Sequence, residues 1–289
     1  MKIQLRGQVP ASKVAERLGT YCTPEDYDFM LTGPATVYSG AGQLVAVYVP
    51  NAVPEEIAAC AKPPLRSLRN RSTDNRGAYA GGRKVQQKKD GTISRSTRSR
   101  NMRSITVGFL GPSGGRFPYC RQTPLVRDEP EAWLQVLPLA QHVAGLFAQH
   151  VPKRYAAQAE KAAETSRDFV IPGTPYTTIT VNNTDAGCIH TDAGDFKAGF
   201  GCISVHREGA FTGYELVFPE YRFAVDMQDG DVLFFDPHAY HGNTECVADG
   251  KAGVDYERIS CVYYYRTRVE LCGTAAEEHA KAKNRGSLK

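Results

Sequence analysis

The sequence lacks the features that would mark a membrane, secreted or disordered protein. Its apolar runs are all shorter than the about 18 residues that a membrane helix requires. Its first ten residues have no apolar signal-peptide core. We therefore expect an intracellular protein, cytoplasmic or nuclear, with no membrane partner. Its 289 residues are 42% hydrophobic and 23% charged, which excludes general disorder and provides enough apolar material for a single domain over 1–289. The oligomeric state stays open.

Cysteine pairs at metal-binding spacing are also missing. The eight cysteines are scattered, and no two of them form a C-x-x-C pair. This spacing argues against a structural zinc site. Because nothing in the sequence indicates an oxidising compartment, we expect reduced, mostly buried thiols rather than disulfides.

Positive charge is modest in total but concentrated in one segment. The net charge is +4, yet twelve Lys or Arg residues between Arg66 and Arg103 are opposed only by Asp74 and Asp90. This stretch carries +10, so the remainder of the chain carries −6. Residues 62–104 are also rich in Ser and Gly and poor in apolar side chains, which predicts an inserted basic loop or arm. Its charge predicts a polyanionic partner.

The pattern of apolar residues predicts helices followed by short strands. Helical spacing marks 130–149 and 155–165, and a strand is expected at 105–110. Further short strands are expected at 177–182, 201–206, 214–218, 223–225, 231–235 and 258–266, separated by turn residues. This order predicts an α+β protein with a jelly-roll core, which the helices could cover on one face.

Two histidines and an aspartate have the spacing of a metal site. His190 and Asp192 are two residues apart, and in an extended segment such residues face the same side. A third ligand must come from elsewhere, and either His238 or His241 could supply it, on the turn after the buried strand V-L-F-F. Two His and one carboxylate leave coordination positions open for a bidentate keto acid and O₂. This donor set is typical of Fe(II) oxygenases.

Arg258 follows His241 by seventeen residues and is predicted to lie on a strand. Alternation places Arg258 and Ser260 on one face of that strand. A guanidinium fork suits a carboxylate, and the Ser hydroxyl adds a donor. We therefore expect this pair to bind the distal carboxylate of 2-oxoglutarate. Taken in isolation, an arginine at this position would more often form a surface ion pair; its distance from the metal motif favours the cosubstrate role.

The order of H-T-D, G-Y-E-L-V-F-P, G-D-V-L-F-F, H-G-N and R-I-S resembles the double-stranded β-helix 2-oxoglutarate oxygenases. Within them the chain is most similar to the Tet/JBP family, because residues 190–195 read H-T-D-A-G-D, an H-x-D followed closely by Gly-Asp. The resemblance covers about 177–266. It implies a double-stranded β-helix (jelly-roll) core, taken here as 166–272, with flanking helices. It also implies Fe(II), 2-oxoglutarate and O₂, and it favours His241 over His238 because His241-Gly242 matches the family's H-G.

The Tet/JBP family oxidises the 5-methyl group of pyrimidines in nucleic acid. The resemblance therefore implies hydroxylation of 5-methylcytosine or thymine, with DNA as the partner of the basic arm. Small-molecule and prolyl hydroxylases share the metal and Arg pattern, so a hydroxylase of a protein side chain or small molecule is the alternative. A non-catalytic DNA-binding barrel is a third hypothesis, and the full ligand set argues against it.

Six further residues are candidates for substrate contact. Asn182 and Asn183 end the strand before the metal motif and could face the pocket or simply form a turn. Asp195 could bind substrate or cap its loop. The arm contributes candidate phosphate contacts, which are Arg98, Arg100 and Arg103.

Overall fold

The computed structural model describes residues 1–71, 80, 83–87, 93–99, 103–114 and 116–286. Six helices occur in these ranges: α1 Ala11–Ala15, α2 Glu55–Ser67, α3 Pro124–Asp128, α4 Pro130–His150, α5 Pro152–Ala163 and α6 Ala275–Gly286. The strands there are β1 Lys2–Gln4, β2 Phe29–Leu31, β3 Ala35–Tyr38, β4 Leu44–Val49, β5 Arg83–Gln87, β6 Ile93–Ser99, β7 Ser104–Leu110, β8 Arg121–Gln122, β9 Thr178–Asn183, β10 Gly201–Glu208, β11 Leu216–Phe218, β12 Phe223–Val225, β13 Val232–Phe235, β14 Gly242–Asn243 and β15 Glu257–Tyr264. Short 3₁₀ helices span Pro24–Asp26, Arg167–Phe169 and Thr267–Leu271.

Two sheets form the core of the described chain. A nine-stranded sheet has the order β1-β3-β4-β13-β10-β15-β9-β7-β8, and a four-stranded sheet has the order β14-β11-β12-β2. Strands β13, β10, β15 and β9 pair antiparallel in the middle of the large sheet. Strands β1, β3, β4 and β7 extend this sheet beyond the core expected at 166–272, although all the metal and cosubstrate candidates lie within that range.

The large sheet has one face against helices and the other against the small sheet. Val232 and Phe234 of β13 pack with helix residues such as Phe147, whereas Leu233 and Phe235 pack with residues of the small sheet such as Phe218. This follows from the period of two along a strand, because each strand supplies apolar side chains to two different cores. The predicted α+β jelly-roll fold with flanking helices is confirmed.

Helix α4 agrees closely with the predicted helix at 130–149. Its buried residues recur along one face and include Trp133, Val136, Val143 and Phe147. Pro138 lies inside the helix, which nevertheless continues to His150. Along the described residues, no helix is both long enough and apolar enough to cross a bilayer.

The structure places regular elements at two points in the segment 62–104, which was expected to be a basic loop or arm. Helix α2 runs through Pro63 to Ser67, because Ala61 and Leu65 are fully buried against α4 and this packing outweighs the poor helix propensity of proline. Strands β5 and β6 pair antiparallel as a separate hairpin. The Asp90-Gly91 dipeptide that separates them in sequence is a recognised hairpin signal, which the polar composition obscured.

A disulfide joins Cys120 to Cys272, so the expectation that the thiols are all reduced is wrong. The two residues are 152 positions apart, and sequence spacing gave no sign of the pair. Cys120 precedes β8 and Cys272 precedes α6, so the bond ties the end of the chain to the edge of the large sheet. Glu278 of α6 is 2% exposed and accepts hydrogen bonds from the backbone N–H groups of Cys120 and Gly273.

Candidate active site

The structure brings His190, Asp192 and His241 together. One ligand atom from each lies within 4.8 Å of the others. Asp192 stands between the two rings, with its carboxylate oxygens 3.5 Å from Nε2 of His190 and 3.5 Å from Nε2 of His241. Two imidazole nitrogens and one carboxylate therefore converge on a single point, a geometry that could hold one metal ion.

Backbone pairing sets the positions of the two histidines. The N–H of His190 donates to the carbonyl of His241 at 2.9 Å, and the N–H of His241 donates back at 3.0 Å. Each ring is then oriented by its own segment. Nδ1 of His190 lies 2.7 Å from the carbonyl of Cys188, and Nδ1 of His241 lies 3.0 Å from that of Ala239. Because a carbonyl only accepts, these contacts assign the proton to Nδ1 and leave Nε2 of each neutral ring able to bind metal.

The electrostatics of the three side chains favour an ionised carboxylate. Burial alone would raise the pKa of Asp192, but its hydrogen bonds with His190 and His241 lower that pKa below the ordinary value. Burial disfavours the charged form of His241, yet the interaction with Asp192 outweighs it and raises the pKa of His241. A cation is therefore favoured at the point where the three side chains meet.

His238 lies apart from this cluster. Its side chain is 33% exposed, and Nδ1 lies 3.3 Å from a carboxylate oxygen of Asp236. His241 is 4% exposed and belongs to the cluster. The structure thus brings together the three residues that the resemblance selected and leaves the fourth candidate outside.

Arg258 and Ser260 lie on the wall of the same cavity, which has a volume of about 470 Å³. Arg258 is 4% exposed, and its guanidinium carbon lies 5.3 Å from the centre of the Tyr214 ring. Burial lowers the pKa of Arg258 to about 10. Its Nη2 atom is buried and has no hydrogen-bond partner among the described residues. A buried cation that points into a cavity in this way fits an anionic ligand.

The two asparagines face opposite sides of β9. Asn182 lines the cavity, donates to the hydroxyl of Ser260 at 3.2 Å and accepts from Ser104 at 2.8 Å. Asn183 is buried on the helix side, where its amide donates to the carbonyl of Leu65 at 3.3 Å. The expectation that Asn183 could reach the pocket is therefore wrong, because consecutive strand residues point to opposite faces.

Asp195 lines the cavity and is 8% exposed. Burial, together with repulsion from Asp192, raises the pKa of Asp195, and Arg266 only partly offsets this effect.

Of the three arginines of the arm proposed as phosphate contacts, Arg103 is the one whose backbone and side chain are both described. Its backbone N–H and its guanidinium contact Asp185 and Thr184, just before the metal-bearing segment. Only the backbone of Arg98 is described, in β6, and Arg100 lies outside the described residues.

The sequence reasoning missed several residues of the cavity wall. Val262, Tyr264 and Arg266 line it in continuation of Arg258 and Ser260, so every second residue from 258 to 266 contributes. The alternation that identified the first two could have identified the other three. Ala80 could not have been found, because it comes from the arm and depends on tertiary packing: its carbonyl accepts a hydrogen bond from the N–H of Cys188 at 2.9 Å.

The cavity has a donor set that fits Fe(II) and 2-oxoglutarate. Two imidazoles and a carboxylate on one side of an ion leave positions for further oxygen ligands. The unpartnered guanidinium nitrogen of Arg258 and the hydroxyl of Ser260 provide donors for a second carboxylate in the same cavity.

Comparisons with known proteins agree with this geometry. The family model for the Tet/JBP oxygenase domain of the 2-oxoglutarate and Fe(II)-dependent dioxygenase superfamily matches residues 104–267. Thymine dioxygenase JBP1 of Leishmania braziliensis is 31% identical over 268 residues, a match that covers 89% of this chain and 28% of the relative. Thymine dioxygenase JBP1-B of Trypanosoma cruzi is 34% identical over 201 residues, which covers 65% of this chain and 24% of the relative.

A solved structure supports the fold independently. The complex of NgTET1 with 5mC DNA superposes with a TM-score of 0.57 at 13% identity, covering 92% of this chain and 95% of that one. At this identity the likeness shows the fold alone. The chain spans about a quarter of the length of the curated relatives that it matches.

The family model covers more than half of the 289 residues, and the relatives match at about 30% identity. Membership implies Fe(II), 2-oxoglutarate and O₂ as cofactor, cosubstrate and oxidant. The chain belongs to the Tet/JBP family of 2-oxoglutarate and Fe(II)-dependent dioxygenases.

Proposed function

We propose that this chain is a dioxygenase that hydroxylates the 5-methyl group of a pyrimidine, 5-methylcytosine or thymine, in DNA. One observation carries the proposal: the three candidate metal ligands lie on the walls of one cavity with the buried Arg258, whose Nη2 atom has no hydrogen-bond partner among the described residues.

In this proposal His190, Asp192 and His241 hold Fe(II), while Arg258 and Ser260 bind the distal carboxylate of 2-oxoglutarate. Bound iron, with 2-oxoglutarate and O₂, supplies the oxidation that converts a methyl group into hydroxymethyl and releases succinate and CO₂. Asn182 fixes the Ser260 hydroxyl through its amide, so its role is to position Ser260. The apolar walls formed by Ile203, Leu216 and Phe235 exclude water from the cosubstrate.

The cavity also suits a base taken out of a helix. Its volume of about 470 Å³ is in the range of about 300–1,000 Å³ that is usual for small-molecule sites. A base in a duplex must leave the stack to bring its methyl group to the metal. Asp195 lies on the cavity wall beside the metal ligands and is the residue we assign to contact with the base.

The basic arm supports DNA as the substrate. Two of its described residues lie next to the candidate metal site: Ala80 accepts a hydrogen bond from Cys188, and Arg103 contacts Asp185. Residues 66–103 carry a charge of +10, and this segment contacts the stretch that holds the metal ligands, where it could neutralise phosphates of a bound strand. The names of the relatives, thymine dioxygenases, and the DNA in the NgTET1 complex point the same way.

The test is to incubate the full chain with Fe(II), 2-oxoglutarate and O₂ and with duplexes that contain thymine alone or also 5-methylcytosine. Nucleoside mass spectrometry then measures 5-hydroxymethyl products, and succinate is measured in parallel. We expect an oxidised pyrimidine from one of the duplexes and none from the Asp192→Ala variant.

Succinate without any oxidised nucleoside would refute the pyrimidine assignment and leave an oxygenase of another substrate, a protein side chain or a small molecule. If an iron-loaded protein forms neither succinate nor an oxidised nucleoside, the oxygenase proposal as a whole is refuted.

A further inference from the structure

Asn243 lies two residues after the candidate metal ligand His241 and lines the same cavity. Its side-chain amide is bound by main chain on two sides. The Oδ1 atom accepts a hydrogen bond from the N–H of Gly187 at 3.0 Å. The Nδ2 atom donates to the carbonyl of Tyr214 at 3.0 Å and to that of Glu215 at 3.4 Å. Both N–H donors of the amide are thus occupied by carbonyls of the protein itself.

On one side, the amide holds the segment that leads to His190. The backbone N–H of Asn243 also donates to the carbonyl of Gly187 at 2.7 Å, so these two residues are joined by two hydrogen bonds. Gly242 permits the close approach, because a Cβ atom there would lie 2.8 Å from the backbone nitrogen of Ile189. A Cβ atom on Gly187 would lie 3.7 Å from Cε1 of the His190 ring. Asn243 is therefore bound to main chain that contacts a metal ligand.

On the other side, the amide holds the main chain of Tyr214, whose ring lies 5.3 Å from the guanidinium carbon of Arg258. Tyr214 has a φ of 62°, in the left-handed region that residues with a side chain rarely adopt. Such a conformation persists only where neighbouring groups hold it in place. The hydrogen bond from Asn243 to the carbonyl of Tyr214 is one such restraint.

The main chain of Arg258 is restrained in a similar way by Thr184. This β-branched residue has a φ of 52°, its N–H donates to the carbonyl of Arg258 at 2.7 Å, and its hydroxyl accepts from the N–H of Arg258 at 3.2 Å. In the described part of the chain four non-glycine residues have a positive φ, and two of them contact Arg258. Backbone strain of this kind clusters where a binding group must be fixed.

We propose that Asn243 is a positioning residue that couples the metal and cosubstrate halves of the site. Through Gly187 it keeps the segment of His190 in place. Through Tyr214 it holds the ring against which the guanidinium of Arg258 is oriented. A guanidinium held in one orientation binds a carboxylate with a smaller loss of conformational entropy. This inference rests on the proposed function, because it takes the ligand of Arg258 to be 2-oxoglutarate.

The test uses two substitutions of Asn243 in the full chain. Asn243→Ala removes the hydrogen bonds of the side chain to Gly187, Tyr214 and Glu215. Asn243→Asp keeps an acceptor for the N–H of Gly187, but a carboxylate has no N–H to donate to the carbonyl of Tyr214. The second substitution therefore separates the metal side from the cosubstrate side.

Gln158→Ala is the matched control. Gln158 is 1% exposed, and its amide also joins two segments: it donates to the carbonyl of Pro175 at 3.1 Å and accepts from the N–H of Phe200 at 3.3 Å. It lies on α5 and outside the cavity wall. Its removal should lower the stability of the fold and leave the binding of Fe(II) and 2-oxoglutarate as in the wild type.

Calorimetric titration under argon, at saturating Fe(II), measures the dissociation constant of 2-oxoglutarate, and Fe(II) affinity and urea unfolding are measured on the same proteins. For Asn243→Ala we expect the 2-oxoglutarate constant to rise by about five- to thirtyfold, the range of a lost cation–π contact. Its Fe(II) constant should rise by about ten- to a hundredfold, as is usual when a group that orients metal ligands is removed. Asn243→Asp should keep most of the Fe(II) affinity and bind 2-oxoglutarate as weakly as Asn243→Ala does.

Tyr214→Leu distinguishes a positioning role from a general loss of structure. If Asn243 acts on Arg258 through the Tyr214 ring, Tyr214→Leu alone should weaken 2-oxoglutarate binding. Asn243→Asp should then weaken it no further in the Tyr214→Leu background. Additive effects of the two substitutions would overturn the inference, as would a wild-type affinity for 2-oxoglutarate in Asn243→Asp. Should one Asn243 variant fold poorly, the other is measured in its place.

Arg258→Met keeps this inference distinct from the proposed function. If Arg258→Met binds 2-oxoglutarate as the wild type does, the assignment of Arg258 to the cosubstrate fails, and the role of Asn243 fails with it. If Arg258→Met binds weakly while both Asn243 variants bind normally, only the role of Asn243 is refuted.

Discussion

Replacing Arg258 by Met should weaken 2-oxoglutarate binding and yet leave the metal-free fold at least as stable. Burial lowers the pKa of Arg258 to about 10, which corresponds to roughly 3 kcal/mol against the charged form in the folded state. Methionine removes that penalty and also removes the cation–π interaction with the Tyr214 ring, which contributes about 1 kcal/mol. The free energy of unfolding of the metal-free variant should therefore rise by up to about 2 kcal/mol.

Binding should change in the opposite direction. A carboxylate bound by the Arg258 guanidinium makes two charge-assisted hydrogen bonds, each worth about 1.5–3 kcal/mol. Without them, the dissociation constant of 2-oxoglutarate should rise by roughly a hundred-fold to twenty-thousand-fold. Urea unfolding of metal-free protein measures the first effect, and calorimetric titration of the Fe(II) protein under argon measures the second.

Arg207 provides a matched control, because it lies opposite Arg258 in the pairing of β10 with β15. Unlike Arg258, it has partners: its guanidinium lies 3.4 Å from Asp226 and 3.2 Å from the carbonyl of Phe211. Arg207→Met should destabilise the fold by about 1–3 kcal/mol and should change 2-oxoglutarate binding far less than Arg258→Met does, because Arg207 acts on Arg258 through charge repulsion only. The reasoning is refuted if metal-free Arg258→Met is less stable than the metal-free wild type, or if it binds 2-oxoglutarate as the wild type does.

Three further outcomes are expected. Asp192→Ala should lose its iron, whereas His238→Ala should keep it, as measured by metal content after desalting; iron loss in both would contradict the choice of ligands. Cys272→Ser should lower the free energy of unfolding by about 2–4 kcal/mol because it opens the long disulfide loop, whereas Cys60→Ser should not, as measured by urea unfolding. His206 is buried, neither of its ring nitrogens has a hydrogen-bond partner among the described residues, and burial lowers its pKa to about 4. The unfolded chain therefore takes up a proton at this residue as the pH falls below about 6.5, whereas the folded chain does not. Between pH 7 and pH 5 the wild type should lose about 2 kcal/mol more of its free energy of unfolding than His206→Leu loses. Urea unfolding at several pH values measures this, and the same dependence of unfolding free energy on pH in both proteins would contradict it.

Short-range periodicity accounts for what the sequence predicted well. His190 and Asp192 share a face because they are two residues apart in extended chain, and Arg258 and Ser260 do so for the same reason. The pairing of β15 with β9 sets Ser260 opposite Asn182, and only this register shows which of two consecutive asparagines enters the cavity. Alternation alone requires that one of them face away, but it does not say which one.

Long-range contacts account for what the sequence did not predict. The disulfide joins segments 152 residues apart. The continuation of α2 through Pro63 depends on α4, which lies far along the chain. The edge strand β1 pairs with β3, and both extend a sheet whose centre comes from the second half of the sequence. Each of these features is decided by packing against a distant partner, which local propensity does not encode.

The way the two histidines are oriented has a consequence for engineering. Each ring is aimed by the carbonyl two residues before it, so part of the alignment of His190 and His241 comes from the main chain, which substitutions in the cavity wall leave in place. The cavity wall at Leu216 or Tyr264 can therefore be redesigned for a different substrate while these main-chain hydrogen bonds are kept. A library of substitutions in the cavity wall should yield proteins that keep their iron while their substrate preference changes. Substrate specificity could then be altered without loss of the metal site.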